Sequence, residues 1–538
     1  MKRLQYLLIT SFLITLFSCT ENKKSEPHTD TMVTDYKEQY RPQFHFTPKG
    51  NWMNDPNGLV YNNGQWHMFY QHNPWGNKWG HMSWGHAVTR DLVHWGEMPI
   101  ALYEEANATD ADSTMIFSGS AIVDKGNKSK ICPDGTGDCM IAFYTSHVHN
   151  KGEGIVQHQS LAYSADKGQT WAKYTKNPII DLKEKDFRDP KVFWHQPSQE
   201  WKMAVVLPKK YKVLFYGSKD LVNWTKLSEW GGVGDISKIW ECPDLFELKV
   251  ANEVGVTKWV LVISGGHESK STFGMQYFIG QFDGNKFTLD AEETGQHYLD
   301  YGRDFYAAVT WNNDPYKRRL MIGWMNNWDY ANEVPTTPWK SAQSIVRQLV
   351  MYKVGEAYKL YQAPLREIES LRGTYGGYSD LELPCDPNLF SNIRFTSGEI
   401  QAIFTPAEEV GVEEFGLKVF QSKDASGKVV EETVIGYDPN RKEVFLDRSR
   451  SGRLDFSEKF SSRDVAPANL QEGKINLHVF IDESTIEVFV NHGEVVLSSQ
   501  VFPKMNQGGI ELYNKGDGRT VANTYNAWSY NSTWDALK

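Results

Sequence analysis

Three acids in short proline-bearing blocks stand out as groups able to do chemistry. They are Asp55 in Trp52-Met53-Asn54-Asp55-Pro56-Asn57-Gly58, Asp189 in Arg188-Asp189-Pro190, and Glu241 in Glu241-Cys242-Pro243-Asp244. Cleaving a glycosidic bond typically takes two carboxyl groups flanking it, one as nucleophile and one as proton donor. A third acid can hold the hydroxyls of the sugar, so the trio supplies every carboxyl such a site needs. One Asp-Pro pair alone is ordinary turn chemistry, with Asp accepting from the backbone and Pro fixing φ. The recurrence in one chain gives the set its weight.

Acids this far apart in sequence can act on one bond only if the fold brings them together. Between Gln43 and roughly Leu365, short aromatic-rich apolar runs alternate with Gly, Asn, Asp and Pro, and no long helical period appears. That is an all-β pattern. Within it a turn recurs: Thr89-Arg90-Asp91-Leu92-Val93-His94-Trp95, Ser164-Ala165-Asp166-Lys167-Gly168-Gln169-Thr170-Trp171 and Ser218-Lys219-Asp220-Leu221-Val222-Asn223-Trp224. A Ser/Thr-x-Asp turn followed by Trp in successive units is how multi-stranded blades repeat, so a propeller is expected, with inner strands converging on a funnel. After Leu365-Arg366-Glu367-Ile368-Glu369 the pattern becomes clean alternation, at Ile475, Leu477, Val479 and Ile481 and at Ile486, Val488 and Val490 across the turn 482–485. One apolar and one polar face predict an antiparallel sandwich. The expected domains are 41–366 and 378–538, with the boundary near 366–378.

Beyond the acids, Phe69-Tyr70-Gln71-His72-Asn73-Pro74, Trp79-Gly80, Phe117-Ser118-Gly119-Ser120, Asp304-Phe305-Tyr306-Ala307, Gly323-Trp324-Met325-Asn326-Asn327-Trp328 and Ser484-Thr485-Ile486-Glu487-Val488-Phe489 follow in order. Together these blocks resemble the β-fructofuranosidases of glycoside hydrolase family 32, which include invertases, inulinases, levanases and fructan exo-hydrolases. The resemblance runs from about Gln43 to the C-terminus. It implies a five-bladed β-propeller followed by a β-sandwich that is chiefly structural, and a retaining reaction. By motif it implies Asp55 as nucleophile, Glu241 as acid/base and Asp189 as transition-state stabiliser. It further implies a fructose pocket of Asn54, Gln71, Trp79, Phe117, Ser118, Arg188, Asp304 and Trp324, in which amides and hydroxyls direct the sugar and aromatic walls exclude water.

Composition agrees with a neutral glycan as partner. At 538 residues the chain exceeds one compact core, which makes two domains the expectation. A net charge of −10 argues against nucleic acid or an anionic membrane surface, both of which need basic patches. The 19 Trp and 26 Tyr suit packing against sugar rings, although most are expected to fill the large β fold. No cofactor is expected, and no Cys/His cluster has metal-ligand spacing; His147-Val148-His149 reads as part of a loop or strand face.

Lys2 and Arg3 precede an apolar run, Leu4 to Phe17, that is short for a bilayer span. Residues 1–19 are read as a signal segment. Leu16-Phe17-Ser18-Cys19 resembles a bacterial lipobox, implying lipidation of Cys19 and attachment to a bacterial membrane, on the periplasmic side or the cell surface, through that anchor alone. Residues 20–40 read as a flexible tether. Export permits disulfides. Cys132 and Cys139, flanking the turn Pro133-Asp134-Gly135-Thr136-Gly137-Asp138, are the expected bridge, while Cys242 is expected buried and unpaired.

The function expected is exo-acting release of terminal fructose from fructans (levan or inulin) and sucrose. Endo-cleavage of levan, a related five-bladed glycosidase acting on arabinose- or xylose-containing chains, and a non-catalytic glycan-binding lipoprotein on the same fold are the alternatives. The block Asn54-Asp55-Pro56-Asn57-Gly58 speaks against the second. The intact acids speak against the third, because buried acids cost stability that a pure binder need not spend.

Overall fold

The computed structural model describes residues 34–538 apart from 107–111, 151–152, 292–295, 386, 391–393, 408–410, 506 and 538. The expected signal segment and Cys19 lie outside the described residues. Seven sheets make up the fold, five of them blades of a propeller and two the layers of a sandwich. The blades begin with the inner strands Asn51–Asn62, Asp112–Asp124, Arg188–His195, Glu241–Lys249 and Tyr306–Thr310, and all but the second sheet open on that strand or receive an edge beside it. In the second blade the short strand Glu105–Ala106 precedes it. Ring closure is local: Trp339–Lys340, from within the fifth blade, pairs in parallel with Asn51–Trp52 of the first.

Apolar clusters fill the gap between each blade and the next, and this packing explains why the first half of the chain shows no clean alternation. In the strand Thr257–His267, Val260 and Val262 pack toward the fifth blade, while Leu261 and Ile263 pack toward the third. In Glu200–Leu207 the same split separates Met203 and Val205 from Ala204 and Val206. A strand buried on both faces reads as a continuous apolar run.

The recurring turn occupies one place in the first three blades, after the third long strand. Asp91 Oδ1 accepts from the amides of Val93 and His94, and Asp220 Oδ1 accepts from those of Val222 and Asn223; the amides of Leu92 and Leu221 donate to Thr89 Oγ1 and Ser218 Oγ. Asp166 accepts from the Thr170 amide in a longer version. These are Asx turns that stop a strand and reverse it.

In the sandwich, a six-stranded sheet (spatial order Arg372–Leu383, Thr520–Tyr530, Gly398–Pro406, Ile475–Asp482, Thr485–Val490, Val495–Gln500) faces a five-stranded one. Ile475, Leu477, Val479, Ile481, Ile486, Val488 and Val490 all enter the core between the sheets. The opposite face is not simply polar: Phe480, Phe489 and Val496 pack on Phe44, Ile345 and Ile368 against the propeller side. The first sandwich strand starts at Arg372, within the stretch assigned to the boundary. It is an edge strand with mostly exposed side chains, so it carries no apolar alternation to read.

The last part of the expected tether is not a tether. Tyr36 stacks on Trp534 at 4.1 Å, Tyr40 packs edge-on against Phe502, and both are buried. Just beyond, Asp482 of the sandwich accepts from the backbone amides of Gln43, Phe44 and His45. His45 bridges Asp482 and Glu487; burial works against its cation, yet the two carboxylates raise its pKa to about 9. Glu487 also takes Arg347 of the fifth blade at 2.5 Å, and Arg347 pairs with Asp300 at 3.0 Å. The amide of Thr533 bonds the Gln43 carbonyl, and the Trp534 indole bonds that of Pro42.

Candidate active site

Three inner strands begin alike. Arg188, Glu241 and Tyr306 are the first residues of the third, fourth and fifth, and a register shift follows each, between Arg188 and Lys191, Glu241 and Asp244, and Tyr306 and Val309. The second residues, Asp189, Cys242 and Ala307, have φ of 65°, 46° and 52°. A left-handed non-glycine residue costs roughly 1–2 kcal/mol, and repeated at three blades it marks a bulge that turns consecutive side chains toward the axis. The blade-equivalent first residues form a hydrogen-bonded arc. Arg188 Nη2 donates to Glu241 Oε1 at 3.0 Å, and the Tyr306 hydroxyl donates to Glu241 Oε2 at 2.9 Å. Among the second residues, the Cys242 amide donates to Asp189 Oδ2 at 2.9 Å.

Asp55 enters from the first blade. Its Oδ2 accepts from Ser118 Oγ of the second blade at 2.6 Å and from Cys242 Sγ at 3.5 Å, and its Oδ1 accepts from Asn54 Nδ2 at 3.0 Å. The Asn54 amide is itself oriented by the Trp52 indole, which donates to its oxygen at 2.7 Å. Five blades thus converge on one carboxylate cluster.

Burial dominates the electrostatics. It raises the Asp55 pKa, against the bonds from Ser118, Asn54 and Cys242, and the nearby Glu241 adds to the rise. Burial also lifts Asp189, with Arg188 opposing and Glu241 reinforcing, to about 7. Burial disfavours the Arg188 cation, but Glu241 and Asp189 outweigh it and raise its pKa. The Cys242 thiol is pushed up by burial and by the surrounding acids, which keeps it an S–H donor to Asp55.

A raised carboxyl stabilises the fold below its unfolded pKa of about 3.9 and loses that contribution as pH climbs through the folded value. For Asp189 the loss falls between about pH 4 and 7. Asp189→Asn, which keeps an acceptor for the Cys242 amide, is therefore expected to gain thermal stability over the wild type as pH rises from 4 to 8, while its kcat falls on the order of 10²–10³-fold. Melting curves at the two pH values check the first part; an unchanged difference would contradict it.

The cluster lines a cavity of about 460 Å³, within the size range of ligand sites. Of the residues predicted from sequence, Asn54, Asp55, Gln71, Trp79, Phe117, Ser118, Arg188, Asp189 and Glu241 all line it. Trp79 is 41% exposed at the rim and meets Phe117 edge-on at 6.2 Å. Two predicted residues do not line it. Asp304 is fully buried at the seam with the sandwich, where Arg448 Nη1 bonds its Oδ2 at 2.5 Å, the Tyr330 hydroxyl its Oδ1 at 2.6 Å and the Gln500 amide its Oδ2 at 2.7 Å. Trp324 is fully buried in the middle of its blade and packs on Trp328 at 4.7 Å; Trp328 is the ring that reaches the cavity.

Several lining or supporting residues were missed. Tyr306 sits two places after Asp304 in Asp304-Phe305-Tyr306-Ala307, and its alignment with Arg188 and Glu241 at a blade start is the signal that would have found it. His147 stacks on Phe117 at 4.3 Å and bonds Gln157, which also accepts from Arg188. No cluster of three or more His, Cys, Asp or Glu able to hold a metal occurs among the described residues. Cys132 and Cys139 are disulfide-bonded, and Cys242 is free and buried.

A five-bladed propeller with a carboxylate-lined funnel, carried on a β-sandwich, defines a class of glycoside hydrolases. The chain belongs to glycosyl hydrolases family 32: the family's N-terminal domain matches residues 45–364 and its C-terminal domain residues 367–529. It is 44% identical to a levanase of Bacillus subtilis over 90% of this chain and 70% of that one. To an extracellular exo-inulinase of Aspergillus awamori it is 36% identical over 94% and 97% of the two chains. The crystal structure of exo-inulinase from Aspergillus awamori superposes with a TM-score of 0.82 at 34% identity, covering 93% of this chain and all of that one.

Proposed function

We propose that this glycoside hydrolase is an exo-acting, retaining β-fructofuranosidase that releases terminal fructose from fructans and sucrose. The observation carrying the proposal is the convergence of Asp55, Asp189 and Glu241, from three blades, on one cavity. The names of the levanase and exo-inulinase relatives support the substrate class. In this mechanism Asp55 attacks the anomeric carbon while the departing glycosidic oxygen takes a proton from Glu241. Water then attacks the covalent intermediate, gives its proton to Glu241 and frees Asp55. Ser118, Asn54 and Cys242 hold Asp55 in line, Arg188 and Tyr306 hold Glu241, and Asp189 accepts from the sugar's hydroxyls.

Exo-attack is supported by the closed floor of the funnel. Below the acids the buried Lys191 of the third blade ties to the fourth and fifth, bonding Asp244 at 3.0 Å and the Thr310 carbonyl at 2.6 Å, which favours entry of a terminal ring from the open end. A chromatographic time course on sucrose, inulin and levan tests this. Fructose alone from the earliest times is expected; oligosaccharides preceding fructose would instead favour endo-cleavage.

Export is supported by the extracellular relatives, and the lipobox resemblance supports attachment through Cys19. With that anchor, Cys19→Ala moves the protein from the membrane to the soluble fraction with activity retained; equal fractionation of both forms would refute attachment.

A further inference from the structure

A second and larger cavity, of about 690 Å³, opens at the other end of the same inner strands. Glu241 and Glu247 mark the two ends on one strand, six residues or roughly 20 Å apart at about 3.3 Å per residue. Between them Lys191, with its bonds to Asp244 and Thr310, separates the two spaces. The second cavity is therefore not a continuation of the first.

Its lining combines three indoles with an arginine short of partners. Trp194 is 41% exposed, with its ring edge-on to Trp201 at 5.1 Å and its Nε1 donating to Gln196 at 2.9 Å. Trp259 also lines the space. Arg319 lies over the Phe246 ring at 5.0 Å; among the described residues its side chain bonds Thr310 Oγ1, at a long 3.5 Å, and its buried Nε finds no partner. No carboxylate of the described residues lies within ion-pair distance of it. Asp244, Glu247 and Asp314 act on its charge from beyond that distance, which leaves the hydrogen-bonding donors of the guanidinium for a hydroxylated partner.

The geometry points to a second glycan-binding site here, taking a saccharide unit of a polymeric substrate with its apolar face on the indoles and its hydroxyls on Arg319. Indole faces suit the C–H side of a sugar ring. Lys125, Lys128 and Lys219 line the cavity together with Asp124 and Glu247, so its charge is mixed and the indole faces are what select a sugar ring. The choice of glycan rests on the function proposed above: a fructan chain is long enough for one part to be held here while another molecule or branch end is cut at the acids.

Native electrophoresis in gels containing levan or inulin, with dextran as control, tests the site in the full-length chain. Asp55→Asn serves as background so that the polymer is not shortened. Asp55→Asn is expected to be retarded by the fructan, and Asp55→Asn/Trp194→Ala to show at least threefold weaker apparent binding. Trp194→Ala alone should hydrolyse sucrose within twofold of the wild-type rate, which reports its folding. Gln196→Ala, at an exposed position, is read the same way should Trp194→Ala fail to fold. Equal retardation with and without the Trp194 or Gln196 change, or no retardation of Asp55→Asn, would overturn the proposal. Failure of the reaction assignment would show separately, as a wild-type enzyme that binds fructan but frees no fructose.

Discussion

Asp55→Asn is expected to lower kcat on the order of 10⁴-fold or more for both sucrose and an activated aryl fructoside, because an amide cannot form the covalent intermediate and no other carboxylate can take its place. At about 1.4 kcal/mol per tenfold, this is at least roughly 5 kcal/mol of lost transition-state stabilisation. Glu241→Ala should behave differently with substrate. Loss of a proton donor costs about 10²–10⁴-fold where the leaving group needs the proton, and far less for an aryl leaving group that departs as the anion. The comparison separates the two roles: equal losses for Glu241→Ala on both substrates, or Asp55→Asn within tenfold of wild type, would remove the assignment. The neighbours sharpen it, since Ser118, Asn54 and Cys242 all aim donors at Asp55, whereas Arg188 and Tyr306 aim theirs at Glu241.

The second large effect concerns stability rather than rate. Asp304→Ala leaves Arg448 buried without its carboxylate and strips the Tyr330 hydroxyl and the Gln500 amide of an acceptor. Breaking a buried pair from one side costs about 3–5 kcal/mol, so a clear fall in denaturation midpoint is expected, with KM unchanged in the protein that stays folded. Replacing both partners by apolar residues, as in Asp304→Leu/Arg448→Met, should recover part of the loss. A stable Asp304→Ala enzyme with a raised KM would return Asp304 to the substrate pocket.

That residue also shows where sequence reasoning stopped. The three acids were legible because each stands in a short block at the start of an inner strand, and the blades were legible because their Asx turns repeat. Tyr306 was not, since Ala307 in the left-handed region breaks the two-residue alternation by which facing side chains are inferred. Asp304 lies before that strand begins, and its neighbours in the sandwich, Arg448 and Gln500, are 144 and 196 residues on, beyond any local pattern. Trp324 and Trp328 differ only in lying inside the strand or three residues past its end. Tyr36 and Tyr40 were lost to composition, as two rings in a polar stretch were enough to pack it down.

Residues 42 and 43 touch residues 533 and 534, so the described chain nearly closes on itself. Such a chain has no privileged place to be cut. Bridging the two stretches with a short linker and reopening the backbone at the exposed hairpin 354–357, just before the last strand of the fifth blade, would place the sandwich ahead of nearly all of the propeller along the chain while sparing the contacts around the acids. The site then depends on how the blades pack around the axis and not on where along the chain each blade is encoded.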